Sequence, residues 1–274
     1  MRLDAHQHFW AYDPIQYPWI PKNSALHRDW LPEDLGKLQA PLGFEGSIAV
    51  QARQSLEESR WLLALADAAP AIKGVVGWVD LRANTVDSQL AEFAAHPKFV
   101  GVRHVVQDEP DPQFLLGTEF MRGIAQLEPL DLAYDLLIFP HQLRAAIELV
   151  AHFPTQRFVL DHIAKPSIKD QSLEPWQTLI GELAQAQNVT CKVSGMITEA
   201  DHLNWQPDDF KPYLDRIFAV FGQGRLMFGS DWPVCLLAGS YEQVVSLADL
   251  YAQQFSAADQ ASLFGGNAQR VYRL

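Results

Sequence analysis

The chain has 274 residues, is 48% hydrophobic and 20% charged, and carries a formal net charge of −12. That excess of acid leaves no basic patch to neutralise phosphates, so nucleic acid is excluded as a partner. The two cysteines, Cys191 and Cys235, lie inside apolar runs, which excludes a disulfide framework or a zinc–thiolate site. No apolar stretch reaches the ~20 residues of a membrane helix, and no basic segment precedes a long apolar run at the amino terminus. The expectation is a cytoplasmic protein with no membrane partner. The length suits one (β/α)8 barrel of about 250 residues as well as two smaller domains.

Short apolar runs recur along the chain and read as strands over Arg2–His8, Gly46–Arg53, Ile72–Asp80, Phe99–Val106, Leu130–Leu137, Arg157–His162, Val189–Ser194 and Leu226–Asp231. Most lack polar alternation, as expected of strands buried on both faces. A long Pro- and Trp-rich connection separates the first two, with Tyr12, Tyr17, Trp19 and Trp30 in it; loops of that length are usually functional or carry small helices. Helical patterns fall between the strands. Ser55-Leu-Glu-Glu58 reads as a capping box ahead of Leu62, Leu65, Ala66 and Ala69. His141–Phe153 carries Leu143, Ile147 and Val150 on one face, and Ser256 caps a helix expected to stop near Gly265 and Gly266. Strand and helix in alternation, with no linker or compositional break, predict a single (β/α)8 TIM-type barrel over residues 1–274.

In such a barrel the chemistry lies at the carboxyl ends of the strands. Standing there are His6 and His8, Gln51 and Arg53, Asp80, Arg103 and His104, Tyr134 and Asp135, His162 and Lys165, Ser194 and Asp231. Residues two apart share a strand face, so both imidazoles of His6-Gln-His8 point the same way and can hold a divalent metal or orient a carbonyl and its water. The bland alternative is a solvated pair. Asp231 ends the apolar run Leu226-Met-Phe-Gly-Ser, where an acid is costly to bury unless it is paired or functional. His162 and Lys165 offer a donor and a cation to a developing oxyanion. Spacing alone leaves open which of Arg103 and His104 faces the lumen. Asp80 and Asp135 read equally well as loop or cap acids. Trp10 and Trp232 suit the C–H face of a sugar ring, or simple packing at the barrel mouth. His27, His96, His141, His152 and His202 read as surface residues.

Several motifs together resemble the amidohydrolase superfamily, in its amidohydrolase-2 branch of sugar-lactone and pyrone-dicarboxylate lactonases. They are His6-Gln-His8-Phe-Trp10, Val102-Arg-His104, Phe139-Pro-His-Gln-Leu143, Leu160-Asp-His-Ile-Ala-Lys-Pro166, Lys192-Val-Ser-Gly195 and Phe228-Gly-Ser-Asp-Trp-Pro233, with Gly266-Asn-Ala-Gln-Arg-Val-Tyr272 near the end. Within the branch the chain is most similar to L-fuconolactone and L-rhamnonolactone hydrolases. The resemblance implies opening of a neutral sugar lactone by water that Asp231 activates, with His6, His8 and His162 catalytic. Arg103, His104, Lys165, Gln51, Trp10 and Trp232 are then the substrate-binding candidates. His6, His8 and Asp231 are the ligands for one divalent metal, zinc, if one is used. Zinc members of the superfamily carry a histidine or modified lysine at the end of the fourth or fifth strand, whereas Leu130–Leu137 offers only Tyr134 and Asp135, and at the end of the fourth strand Arg103 could occupy the site as well as His104. The lactonase branch includes members that work without a metal, so the resemblance leaves metal-independent catalysis open beside zinc. A zinc-dependent decarboxylase, a pyrone-dicarboxylate lactonase and a non-catalytic carbohydrate-binding barrel are the alternatives. A homo-oligomer is compatible with everything in the sequence.

Overall fold

A computed structural model describes residues 1–274, and its eight strands form one parallel sheet in sequence order. They are β1 (Leu3–Gln7), β2 (Gly46–Val50), β3 (Ile72–Gly77), β4 (Phe99–His104), β5 (Ala133–Leu136), β6 (Phe158–Leu160), β7 (Val189–Val193) and β8 (Leu226–Phe228). The barrel closes through a parallel bridge between Gln7 and Trp232, with Asp231 N–H donating to the His6 carbonyl (2.8 Å) and His8 N–H to the Trp232 carbonyl (2.7 Å). The buried Asp4 carboxylate stitches the same seam, accepting from the backbone of Ser230 (2.9 Å) and of His6 (3.2 Å) and from the Tyr241 hydroxyl (3.3 Å). Every expected strand is present, but several are shorter. β6 stops before Asp161 and β8 before Gly229, and Glu128–Leu130 is a 3-10 turn rather than strand.

Ten helices surround the sheet: α1 (Pro32–Gln39), α2 (Leu56–Ala68), α3 (Val86–Ala94), α4 (Thr118–Ile124), α5 (Leu143–His152), α6 (Trp176–Leu183), α7 (Pro207–Phe221), α8 (Tyr241–Ala252), α9 (Ala257–Ala261) and α10 (Asn267–Tyr272). Ser55 caps α2 by accepting from Glu58 N–H. The Glu58 carboxylate, however, reaches outward to Ala52 N–H (3.1 Å), Arg53 N–H (2.7 Å) and the Tyr17 hydroxyl (3.1 Å), so half of the expected capping box serves the loop after β2. The helix begun at Ser256 ends at Ala261 and continues as a π turn through Gly266 before α10 starts. Outward strand residues such as Val75, Leu136, Leu160 and Phe228 join the helices in the main core. A second, smaller cluster gathers Leu3, Ile48, Val76, Val159 and Met227 with Ala268, Val271 and Tyr272 of α10, which thereby closes the amino-terminal end of the barrel. No helix is long and apolar enough to cross a membrane.

Candidate active site

The carboxyl ends of the strands open into a cleft of about 580 Å³, within the size range of small-molecule sites. His8, Gln51, Arg53, Arg103, His162, Lys165 and Asp231 all line it. On its floor, three imidazole nitrogens surround one carboxylate oxygen: Asp231 Oδ1 lies 3.4 Å from His8 Nε2, 3.8 Å from His6 Nε2 and 3.8 Å from His162 Nε2. The two strand histidines sit side by side, Nε2 to Nε2 at 3.2 Å. Only a protonated Nδ1 can donate to a carbonyl, so the 2.8 Å contact of His8 Nδ1 with Val50 O places a proton on Nδ1. His162 Nδ1 is held by the Ser194 hydroxyl at 2.9 Å.

The backbone at this floor is unusual. His162, Ile163, Ala164 and Lys165 all have left-handed φ, between 48° and 60°, and Asp231 has φ 57°. Such conformations cost on the order of 1–3 kcal/mol each for side chains other than glycine, and they persist where surrounding contacts over-determine them. Here they turn two side chains back into the lumen beyond strands that have already ended. Two glycines make room for the histidines of the floor. A Cβ at Gly195, whose φ is +61°, would come within 2.5 Å of His162 Nδ1, and one at Gly229 within 2.6 Å of His6 Cβ.

Burial and neighbours set the charge states. Burial pushes His162 down to about 4 and holds His6 well below the usual histidine range. Burial alone would raise Asp231, but His162, His8 and His6 outweigh it and keep the carboxyl below its ordinary value. Asp231 is therefore an anion ringed by imidazoles.

Beneath the floor lies a layer that the sequence reading only partly anticipated. Asp161 accepts from Arg103 Nη1 (3.0 Å) and lies 3.2 Å from His6 Nδ1, while Lys192 Nζ is 3.0 Å from Asp161 and 2.5 Å from Asp135. Asp161 and Lys192 lie inside motifs in which the neighbouring histidine and serine are the conspicuous chemistry-bearing residues. The signal available was a charged residue within an otherwise apolar strand, as in Val189-Thr-Cys-Lys-Val193. Glu199 was missed outright; it lines the cleft 3.8 Å from Lys165, its carboxyl raised by burial.

Other candidates lie elsewhere. Arg103, not His104, faces the lumen. His104 turns outward, where Nε2 meets Glu109 at 2.7 Å and the ring stacks on Phe114, so substrate cannot reach it. Trp10 and Trp232 are both fully buried and offer no face to the cleft, Trp232 packing on Trp30 and Phe9. Trp19 lines the cleft instead, 42% exposed and with its indole N–H fixed to Ala52 O at 3.0 Å. Asp80 caps the loop after β3 by accepting from Arg82 N–H, and Tyr134 is buried among Phe120 and Phe158. Of the five expected surface histidines, His96 is half-buried against Asp67, and His202 is exposed at the cleft edge.

A model of the amidohydrolase family matches residues 3–274. The chain belongs to the amidohydrolase family. This amidohydrolase is 42% identical over 286 residues to an L-fucono-1,5-lactonase of Burkholderia multivorans, covering 100% of this chain and 96% of the relative. It is 37% identical over 280 residues to an L-fucono-1,5-lactonase of Burkholderia ambifaria, with coverage of 100% and 96%. A crystal structure of a Burkholderia multivorans amidohydrolase with bound zinc superposes with a TM-score of 0.96 at 42% identity, covering 100% of this chain and 99% of that one.

Proposed function

We propose that this amidohydrolase opens a neutral sugar lactone of the L-fucono-1,5-lactone kind to its acid, with Asp231 activating the attacking water. The observation that carries the reading is the convergence of three imidazole nitrogens on Asp231 Oδ1 at the cleft floor, at 3.4–3.8 Å. It is supported by near full-length likeness to two L-fucono-1,5-lactonases. Asp231 takes a proton from water as the water oxygen bonds to the lactone carbonyl carbon. His162, with Ser194 donating to its Nδ1, presents an Nε2–H to the oxyanion, and Arg103 and Lys165 add positive charge nearby. The tetrahedral centre collapses by breaking the bond to the ring oxygen, and Asp231 returns its proton to that leaving alkoxide.

The cleft favours a neutral, hydroxylated substrate over a dicarboxylate. Arg103 is engaged by Asp161 and the Gln51 carbonyl, Arg53 by Gln16, and Asp108 and Glu199 add negative charge to the walls. Gln51 is fully buried with Oε1 unpartnered, an acceptor for a substrate hydroxyl. For the family's metal, the donor set fits. His6 Nε2, His8 Nε2 and Asp231 lie within 4.8 Å of one another and supply the three protein ligands a catalytic zinc needs. Zinc held there would polarise water and the lactone carbonyl as a Lewis acid.

The test is indicator-monitored acid release from L-fucono-1,5-lactone, pyrone dicarboxylate and simple esters, using chelator-treated protein with and without added zinc. Sugar-lactone turnover is expected. Equal rates in both samples would assign the chemistry to the side chains alone, and turnover only with zinc would assign a resident metal. Silence on every sugar lactone overturns the reading.

A further inference from the structure

The proposed chemistry leaves the one large aromatic side chain of the cleft without a role. Trp19 is 42% exposed, whereas Trp10, Tyr17, Ile20 and Leu26 of the same long loop are buried together. No phenylalanine, tyrosine or second tryptophan lines the cleft. Exposure alone would mean little, since single apolar side chains are common on protein surfaces. What sets Trp19 apart is how firmly it is held there. Its indole N–H donates to the Ala52 carbonyl at 3.0 Å, and Trp10 packs against the ring at 5.5 Å with the two planes at 86°. An edge-on contact covers at most one face of a ring, so a face of Trp19 stays open.

Both supports of that ring are tied to one buried carboxylate. Glu58 accepts from Ala52 N–H at 3.1 Å and from the Tyr17 hydroxyl at 3.1 Å, so it fastens to α2 both the residue that receives the indole and the loop that carries it. Tyr17 and Ile20, buried on either side of Trp19 in sequence, are joined by a hydrogen bond from Ile20 N–H to Tyr17 O at 3.1 Å. The ring is thus a fixed surface whose ordering cost is met on folding, not on binding. Ala52 also follows Gln51, whose buried Oε1 has no partner. A flat apolar face and an acceptor for a hydroxyl therefore stand on adjoining supports. A sugar ring has the matching make-up, with C–H bonds across a face and hydroxyls around its edge. We propose that Trp19 is a sugar-binding residue whose open face receives the C–H face of the lactone ring. The inference rests on the proposed function in taking a neutral sugar ring as the occupant. Hydrolysis alters the lactone carbonyl and ring oxygen but not that C–H face, so the contact is alike in ground and transition states. It therefore acts on KM more than on kcat.

The experiment compares wild-type protein with Trp19→Phe and Trp19→Leu, with circular dichroism confirming the fold. Both variants lose the bond to Ala52 and keep an apolar side chain, but only phenylalanine keeps a flat face. With L-fucono-1,5-lactone, KM is expected to rise about tenfold in Trp19→Leu and clearly less in Trp19→Phe, the loss falling on KM and not on kcat. Acrylamide quenching of fluorescence gives a readout free of turnover. Trp19 is the only exposed tryptophan, and the difference between wild type and Trp19→Phe isolates its signal. L-fucose, a stable neutral sugar ring, is expected to shield it from acrylamide in wild-type protein. Equal losses in the two variants, a wild-type KM in Trp19→Leu, or a loss in kcat alone overturns the inference and leaves Trp19 a packing residue. So does a Trp19 that L-fucose leaves unshielded, whether or not the lactone turns over. A protein silent on every sugar lactone whose Trp19 is still shielded would lose the lactonase reading and keep this one.

Discussion

The lumen of this barrel has two unlike halves. Toward the amino-terminal ends of the strands it is filled by Leu3, Ala5, Ile48, Val50, Val76, Val100, Ala133, Val159 and Met227 and covered by α10. Toward the carboxyl ends it holds His6, Arg103, Asp135, Asp161, His162, Lys192 and Asp231, all buried, with left-handed backbone at His162 and Asp231. The lower half obeys local rules: apolar side chains in ordinary strands, each removing surface from water. The upper half breaks them, burying charge and holding strained turns. Stability is thus gathered at one end and spent at the other, where pre-set geometry is needed for chemistry.

That contrast predicts separable effects. Asp231→Asn should cut lactone turnover by roughly 10³-fold or more while moving the melting temperature little, because general acid–base work alone contributes about 10²–10⁴-fold. Turnover near the wild-type rate in this variant would break the division. Met227→Ala, in the lower half, should cost about 2–5 kcal/mol of stability through the cavity it leaves, with kcat and KM of the folded enzyme unchanged. Denaturant unfolding beside steady-state kinetics checks both parts, and a collapse of kcat in a well-folded variant would show the halves to be coupled.

The smallest effect concerns the rim. Burial raises Glu58 to about 7, so between its ordinary value of 4.5 and 7 the folded state holds more protons than the unfolded one, and stability falls as pH rises through that window. Asp4 and Asp135, raised to about 6 by burial, act in the same direction. Glu58→Gln should therefore flatten, without abolishing, the fall in melting temperature between pH 5 and 7. An unchanged slope would mean that Glu58 is ionised at no extra cost while it holds Ala52, Arg53 and Tyr17.

Much of this was legible from local patterns. Eight buried runs announced eight strands, His6-Gln-His8 announced a pair on one face, and the apolar run into Asp231 announced an acid at a strand end. The errors were of side-chain direction. His104 was a candidate beside Arg103, and only the register of β4 against its neighbours turns one inward and the other onto Phe114. Trp10 and Trp232 flank the two motifs in sequence but are folded under them, while Trp19, an inconspicuous member of a long loop, reaches the cleft. Asp161 and Lys192 lie within the motifs, but nothing local says that residues from β1, β4, β5, β7 and the turn after β6 share one buried cluster.

The sequence by itself determined the number and order of the strands and the chemical types at their ends, because hydrophobic periodicity and the cost of burying charge act over a few residues. The tertiary structure alone decided which of those groups meet. Barrel closure, the register shift in β1 between Asp4 and Gln7, and the left-handed turns at His162 and Asp231 set directions that no residue specifies on its own. A strand end can aim its last side chain either way, and the neighbour that satisfies it, across the lumen and 186 residues distant in the case of Lys192 and His6, settles which.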